Sequence, residues 1–433
     1  MVTTCANEEN MNRIILIGNG FDLAHSLETS YRSFIDKLWK DKIQHLKESA
    51  YNKDDDLDLD EKDRKTLIRN GDLIKTYNEL IDFNHNYKDE KIRLNIKNKF
   101  LELISQKDYL LNWVDVENEY FNDLLIVSKN INEDSEIKKL NCDFLAIKNL
   151  LEKYITDEIK RKKDSLKRKD EIYSIIYSNF YIEDFSKVGL DYLYKEIFAE
   201  LNSMFDKSKS PGDFNEHLCV YEHVLSKDKD KNYFLNEDKL KKLFQNHDLS
   251  KQFVDLKPSA YLFLNFNYTN IESNYSKYER SVYTSNYLPK VDINHIHGEL
   301  NNKSNPIIFG YGDEIGKDYK IIEELNNNNL LENVKSIRYL DTDKYKKLLE
   351  YIDSDKYQIF IMGHSCGNSD RTLLNTLFEH KNCVSIKVFY HQINENDDNY
   401  SDVIRNISRN FNDKKMMREK VVNKRYCSPL IKK

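Results

Sequence analysis

The feature that most constrains this chain is Ile14-Ile15-Leu16-Ile17 running without interruption into Gly18-Asn19-Gly20-Phe21-Asp22. A continuous apolar run reads as a strand buried on both faces, as in a parallel sheet covered by helices. Glycines directly after such a strand allow a tight turn and let backbone N–H groups approach a ligand phosphate. The third glycine of the dinucleotide fingerprint is missing, and Leu23 stands in its place. A plain strand-turn accounts for this stretch as well as a phosphate loop does, so the rest of the chain has to decide. The next helix is expected to begin at Thr29 or Ser30, both good caps, ahead of Tyr31, Phe34, Ile35 and Leu38.

The same event, an apolar run whose carboxyl end carries polar residues and glycine, recurs after Pro258. Ala260 to Leu264 leads into Asn265-Phe266-Asn267-Tyr268-Thr269, and Val291 to His297 ends in Gly298-Glu299. Pro306 to Phe309 runs into Gly310-Tyr311-Gly312-Asp313, and Tyr357 to Met362 into Gly363-His364-Ser365-Cys366-Gly367, with Asp370 just beyond. Val384 to Tyr390 reads as a further strand and Asn399 to Phe411 as a closing helix. In open α/β sheets this edge is where ligands bind. Between residues 41 and 255 the pattern is instead helical and charged. Leu151 to Tyr173 alternates acids and bases as an exposed, salt-bridged helix would, and breaks fall at Lys207–Asp213 and Ser226–Asn232.

The predicted architecture is therefore α/β: a Rossmann-like, mostly parallel sheet over residues 12–40 plus 256–411. A large all-helical insertion, 41–255, interrupts it as a lid, oligomer contact or sensor. A basic, exposed tail, 412–433, follows. The net charge of -6 gives no pull toward nucleic acid or an anionic membrane, and no apolar run approaches the roughly 20 residues that span a bilayer. The first ten residues are polar and read as a loose leader. The six cysteines contain no Cys-x-x-Cys pair, which argues against a disulfide framework or a structural zinc site and points to a reducing cytoplasm.

Glu117 is the one unusual residue of the helical stretch. It falls on the face formed by Leu110, Trp113, Tyr120 and Leu124, while Asp115 and Glu119 point elsewhere. Burial there would raise its pKa and suit a general acid or ligand contact; otherwise it is an edge carboxylate paired with a Lys or Arg from elsewhere.

Three chemistries are open. His295 and His297, two apart on a strand, share a face as two metal ligands do, but a catalytic metal needs three and no third follows. Gly363-His364-Ser365-Cys366-Gly367 matches a serine-hydrolase elbow between strand and helix. His391 is available there as base, but no acid precedes it at the end of a later strand. The third reading is a nucleotide site built on the strand ends. Gly18 and Gly20 approach phosphates, Gly363 and Ser365 form a second contact loop, and Asp370 caps the following helix. Asn267 and His297 then face the reacting centre. Breaking an N-glycosidic bond needs a base for water or a ribose hydroxyl, which neutral His297 supplies, and an orienting amide, which Asn267 supplies. Taken singly, Asn267 is equally a turn residue and His297 a satisfied buried ring.

Ile17-Gly18-Asn19-Gly20-Phe21-Asp22-Leu23-Ala24-His25 with Thr29-Ser30-Tyr31, Trp113-Val114-Asp115-Val116-Glu117, Asn265-Phe266-Asn267-Tyr268-Thr269, His295-Ile296-His297-Gly298, Phe309 to Glu314 and Gly363-His364-Ser365 together resemble the AbiH family of bacterial phage abortive infection proteins. The same landmarks are similar to a diverged sirtuin-type NAD-binding domain. That likeness implies Asn267 and His297 as catalytic, with Glu117 a further candidate, and Gly18, Asn19, Gly20, Asp22, Gly363, Ser365 and Asp370 as nucleotide contacts. Thr269 replaces the aspartate of the sirtuin pattern and Asp22 a serine, and the zinc module of the deacylases is missing. The resemblance thus implies an antiviral NAD hydrolase, with NAD as substrate and no metal. An unregulated enzyme of that kind would kill its host, so a homo-oligomer or a regulatory protein partner is expected. The alternatives are a non-catalytic NAD, ADP-ribose or nucleotide sensor, and the serine hydrolase.

Overall fold

The computed structural model describes residues 11–48, 56–107, 110–129, 134–193, 195, 257–278 and 289–432. The expected leader, the Lys207–Asp213 and Ser226–Asn232 breaks and much of the predicted insertion lie outside them. Six parallel strands form one sheet: β1 (Asn12–Ile17), β2 (Ala260–Asn265), β3 (Lys290–His295), β4 (Tyr357–Met362), β5 (Cys383–Tyr390) and β6 (Ser428–Pro429). Their spatial order is β6-β5-β4-β1-β2-β3, the 3-2-1-4-5-6 order of doubly wound α/β folds, which reverses direction between β1 and β4. β1 lies at the centre with every residue buried, as its unbroken apolar run requires.

Register decides where the functional loops emerge. Ile17 is level with Asn265 on one side and Met362 on the other, Asn265 is level with His295, and Met362 with Phe389. The turns following all five strands therefore leave the sheet along one edge.

Side chains alternate between two covered faces, as strand geometry dictates. Ile14, Leu16, Leu262, Leu264, Ile359 and Ile361 pack against the helices α5 (Arg371–Glu379) and α6 (Tyr400–Asn410), among others. On α5 the buried residues Leu373, Leu374, Leu377 and Phe378 recur at helical spacing. On the other face, Ile15, Ile17, Phe263, Phe360 and Met362 meet Phe21, Ile172, Ile176 and Tyr275. Each fully buried Ile or Leu contributes about 1.5–3 kcal/mol.

A third core joins α2 (Tyr31–Glu48), α3 (Trp113–Ser128) and α4 (Asp134–Lys162) to Ile307, Phe309, Tyr319 and Val334. Helices from between β1 and β2 thus share their interior with the segment that follows β3.

Four expectations need correction. A short helix, α1 (Asn19–Ala24), follows β1 directly, ahead of α2, where Ser30 Oγ accepts from the Ser33 N–H at 3.1 Å as a cap. The stretch Leu151–Tyr173 is not one exposed helix: α4 ends at Lys162, and Ile172 and Ile176, both fully buried, begin a new layer on the sheet because their apolar area is needed there. Pro306–Phe309 adds no strand; it folds back on the turn after β3, with Ile308 N–H donating to His297 O at 2.8 Å. The tail is not a loose basic segment, since Ser428–Pro429 pairs with Phe389–Tyr390 at the sheet edge and Leu430 is buried. An edge position is where a strand tolerates proline.

Candidate functional site

The residues expected to be catalytic or to contact a nucleotide, Gly18, Asn19, Gly20, Asp22, Glu117, Asn267, His297, Gly363, Ser365 and Asp370, line one cavity of about 480 Å³. It lies on the carboxyl edge of the sheet, at the reversal between β1 and β4, and its size suits a small-molecule or cofactor ligand. At one end are Glu117, His297, Lys335 and Asp370; at the other, Tyr390, Gln392 and Leu430.

The two glycine loops hold each other. Gly20 N–H donates to Gly363 O at 2.8 Å and Gly18 N–H to Met362 O at 3.2 Å. A Cβ on Gly18 would fall 2.5 Å from His364 Cα, and one on Gly363, which has φ +76°, 2.2 Å from the Phe21 nitrogen. Glycine is required here because two backbones touch. The amides of Gly18 and Gly20 are therefore engaged within the protein, contrary to the expected phosphate role. Among the described residues, the N–H groups of His364 and Ser365 have no backbone acceptor.

Asn19 also turns inward. Its Nδ2 donates to Thr29 O at 3.0 Å and Oγ1 at 2.7 Å, and Trp113 Nε1 donates to the same Thr29 carbonyl at 2.9 Å. This ties α3 to the loop between α1 and α2.

Asn267 bridges the first two strand ends. Its Nδ2 donates at 2.9 Å to both Gly18 O and Asp22 Oδ1, which fixes the amide orientation and leaves Oδ1 as its acceptor. Asp22 Oδ1 also accepts from Thr269 Oγ1 at 2.8 Å, and Oδ2 from Thr29 Oγ1 at 3.3 Å. Burial pushes the Asp22 carboxyl up to about 7, against the pull of these hydrogen bonds and with a further push from Glu272.

Around His297 is a buried charge cluster. Lys335 Nζ lies 2.8 Å from Glu117 Oε2 and 2.8 Å from Asp370 Oδ1. Asp370 Oδ1 is 3.4 Å from His297 Nε2, and its Oδ2 is 3.4 Å from His364 Nε2. His297 Nε2 also meets Tyr339 OH at 3.1 Å, and the Phe266 backbone favours the protonated ring. Which ring nitrogen carries the proton is a matter of tautomer. Burial, and after it the Lys335 cation, lowers His297 to about 3, so the resting imidazole is neutral. Burial raises the Glu117 carboxyl, with Asp370 adding to the effect and Lys335 opposing it. Burial acts to raise Asp370 as well, but Lys335, His297 and His364 outweigh it and hold that group below the carboxylate range. Asp370 occupies the helix cap position, yet its side chain makes no capping bond and faces these cations and rings instead. Glu117 is buried in the cleft and not at the edge of its stripe, and it is paired with a lysine from elsewhere in the chain.

The other two chemistries find less support. His295 Nε2 faces Glu272 Oε1 at 3.0 Å, apart from the His297 contacts, and among the described residues no group of three or more His, Cys, Asp or Glu is arranged to hold a metal. Among the described residues no imidazole hydrogen-bonds Ser365. The left-handed backbone of the elbow falls on Gly363 and on Cys366 (φ 55°), not on the serine.

Sequence reasoning missed Lys335, Tyr339 and His364 as site residues. Lys335 and Tyr339 begin two consecutive short helical turns, Lys335–Arg338 and Tyr339–Asp341, that carry no motif; their only signal was the need of a buried Glu117 for a counter-charge. His364 was visible within the glycine loop but was read as filler. No helix among the described residues is long and apolar enough to cross a membrane. No curated protein and no solved structure matches the chain. The model of one family, described as bacteriophage abortive infection AbiH, matches residues 14–392, most of the sequence, and with them Gly18, Asp22, Glu117, Asn267, His297, Lys335 and Asp370 of the cleft, and the chain belongs to that family.

Proposed function

We propose that this AbiH protein is an effector of phage defence that hydrolyses NAD at the nicotinamide–ribose bond when activated. Family membership indicates the abortive infection role; the chemistry is our reading of the cleft. The observation that carries it is the meeting, around one cavity at the sheet's reversal, of Asn267, bonded to Gly18 and Asp22, with a buried neutral His297. The two departures from the sirtuin pattern also support it. Asp22 and Thr269 are the two ends of one 2.8 Å hydrogen bond, so acid and hydroxyl have exchanged sides.

In this reading the ribose C1′–N bond breaks and its electron pair leaves with nicotinamide. The oxocarbenium-like ribose lies on the Asp370 side of the cluster, where an ionised carboxylate favours developing positive charge. Water, oriented by Asn267 Oδ1, forms the new C1′–O bond and yields its proton to the neutral His297 imidazole. The nearby Asp370 carboxylate steadies the imidazolium until the proton passes to solvent. The products are ADP-ribose, nicotinamide and a proton. The unpartnered amides of His364 and Ser365 are the donors offered to the phosphates.

The test is nicotinamide release from NAD, followed with purified protein and in infected cells that express it. His297→Ala should lower the rate about 10²–10⁴-fold, the usual contribution of a general base, and Asn267→Ala should lower it as well. Tight NAD or ADP-ribose binding without turnover would favour the sensor. Ester cleavage lost in Ser365→Ala, with NAD intact, would favour the elbow.

A further inference from the structure

Lys335 belongs to no motif, yet it is the most enclosed charge of the site. Its side chain is 2% exposed, against 5% for Glu117 and 6% for Asp370. Its backbone is pinned as well, with its N–H donating to Tyr311 O at 2.8 Å. Three separate parts of the chain converge on its ammonium: α3 brings Glu117, the segment after β3 brings Lys335 itself, and the turn before α5 brings Asp370. Among the described residues, the other titratable groups facing this cluster are His297, His364, Tyr268, Tyr339 and Cys366.

A cation is needed here on electrostatic grounds. Two carboxylates enclosed together cannot both ionise without one. If Asp370 were protonated, it would have no charge with which to steady an imidazolium at His297, 3.4 Å away. If Lys335 were bound by Glu117 alone, Asp370 would be free to turn. The paired 2.8 Å bonds prevent both outcomes.

We propose that Lys335 is the positioning residue of this cleft, holding Asp370 ionised and aimed at His297 while Glu117 anchors the ammonium from the opposite side. The inference rests on reading His297 as the proton acceptor. It assigns Glu117 to the support of Lys335 and not to direct contact with the reacting atoms. The ammonium also repels a proton from His297, so its loss should make the imidazole easier to charge.

The experiment follows the full-length protein by NMR of ¹³C-labelled histidine, with the His297 signal assigned by His297→Gln. No substrate is present, so the outcome is independent of whether NAD is cleaved. In the wild type the His297 signal should stay flat from pH 5 to 8. Lys335→Met leaves two uncompensated buried carboxylates and is expected to fold poorly. The double variant Glu117→Gln/Lys335→Met restores the charge balance. It should keep a thermal midpoint near the wild type while His297 gains about a hundredfold or more in proton affinity over its value of about 3 and begins to titrate within that range. Lys335→Arg keeps the charge and should leave the signal flat. A folded double variant with an unchanged His297 signal overturns the proposal. So does a signal that rises in Lys335→Arg, which also decides the matter if the double variant does not fold.

Discussion

Asp22 and His297 carry opposite consequences for stability. Asp22 has an unfolded value near 3.8 and a folded value of about 7, so between these the folded state holds the extra proton. Stability is therefore lost as pH rises through that window, by up to about 4 kcal/mol if the whole shift is expressed. Asp22→Asn cannot ionise, and its nitrogen can still meet Thr29. Its unfolding free energy relative to the wild type should increase from pH 4.5 to 7.5 in urea titrations; an equal difference at both would show that Asp22 is already ionised when folded. His297, lowered from 6.5 to about 3, acts the other way. Its unfolded form takes the proton first, so stability falls as pH drops from about 6.5 toward 3, and His297→Gln should flatten that part of the curve. At this scale the sequence was informative about residue types and silent about partners. Asn267 and His297 could be named because they follow strands, but the bonds from Asn267 to Gly18 and Asp22 span more than 240 positions, and no local pattern encodes them.

Among the elements, the paired glycine loops and α3 hold the cleft together. Gly363→Ala should destabilise by about 1–3 kcal/mol through its left-handed backbone alone, with an added cost because the new methyl meets the Phe21 nitrogen at 2.2 Å. Loss of cleft geometry should accompany it, readable as a His364 chemical-shift change. A tolerated Gly363→Ala would mean that the loops are not in contact. Trp113→Phe removes the donor to Thr29 O and should cost about 0.5–1.5 kcal/mol in chemical unfolding, without the folding failure expected of Lys335→Met. The glycine loops were legible because a strand followed by Gly-x-Gly is a local signal. Their role was not, since the Cβ clash arises between segments joined only in the fold. The β6 strand escaped notice for the same reason: two residues with a proline show no periodicity, and only β5 gives them a place.

At the level of the whole molecule, the parallel sheet agrees with a reading of strand-end patterns, and the AbiH membership with the resemblance carried by the quoted motifs. The core is less separable than composition implied. Helices from between β1 and β2 pack with residues after β3, and Ile172 and Ile176 cover the sheet itself. Charge and helical period mark a segment as helical but do not say which surface it covers. In the mechanism proposed above, the cleft between β1 and β4 presents the nicotinamide–ribose bond to Asn267 and His297. The direct measurement is a structure of His297→Ala bound to NAD. We predict the ribose C1′ beside Asn267 and the emptied His297 position, with the pyrophosphate along His364 and Ser365. A dinucleotide bound elsewhere, or lying with its adenine against the Lys335 cluster, would contradict it.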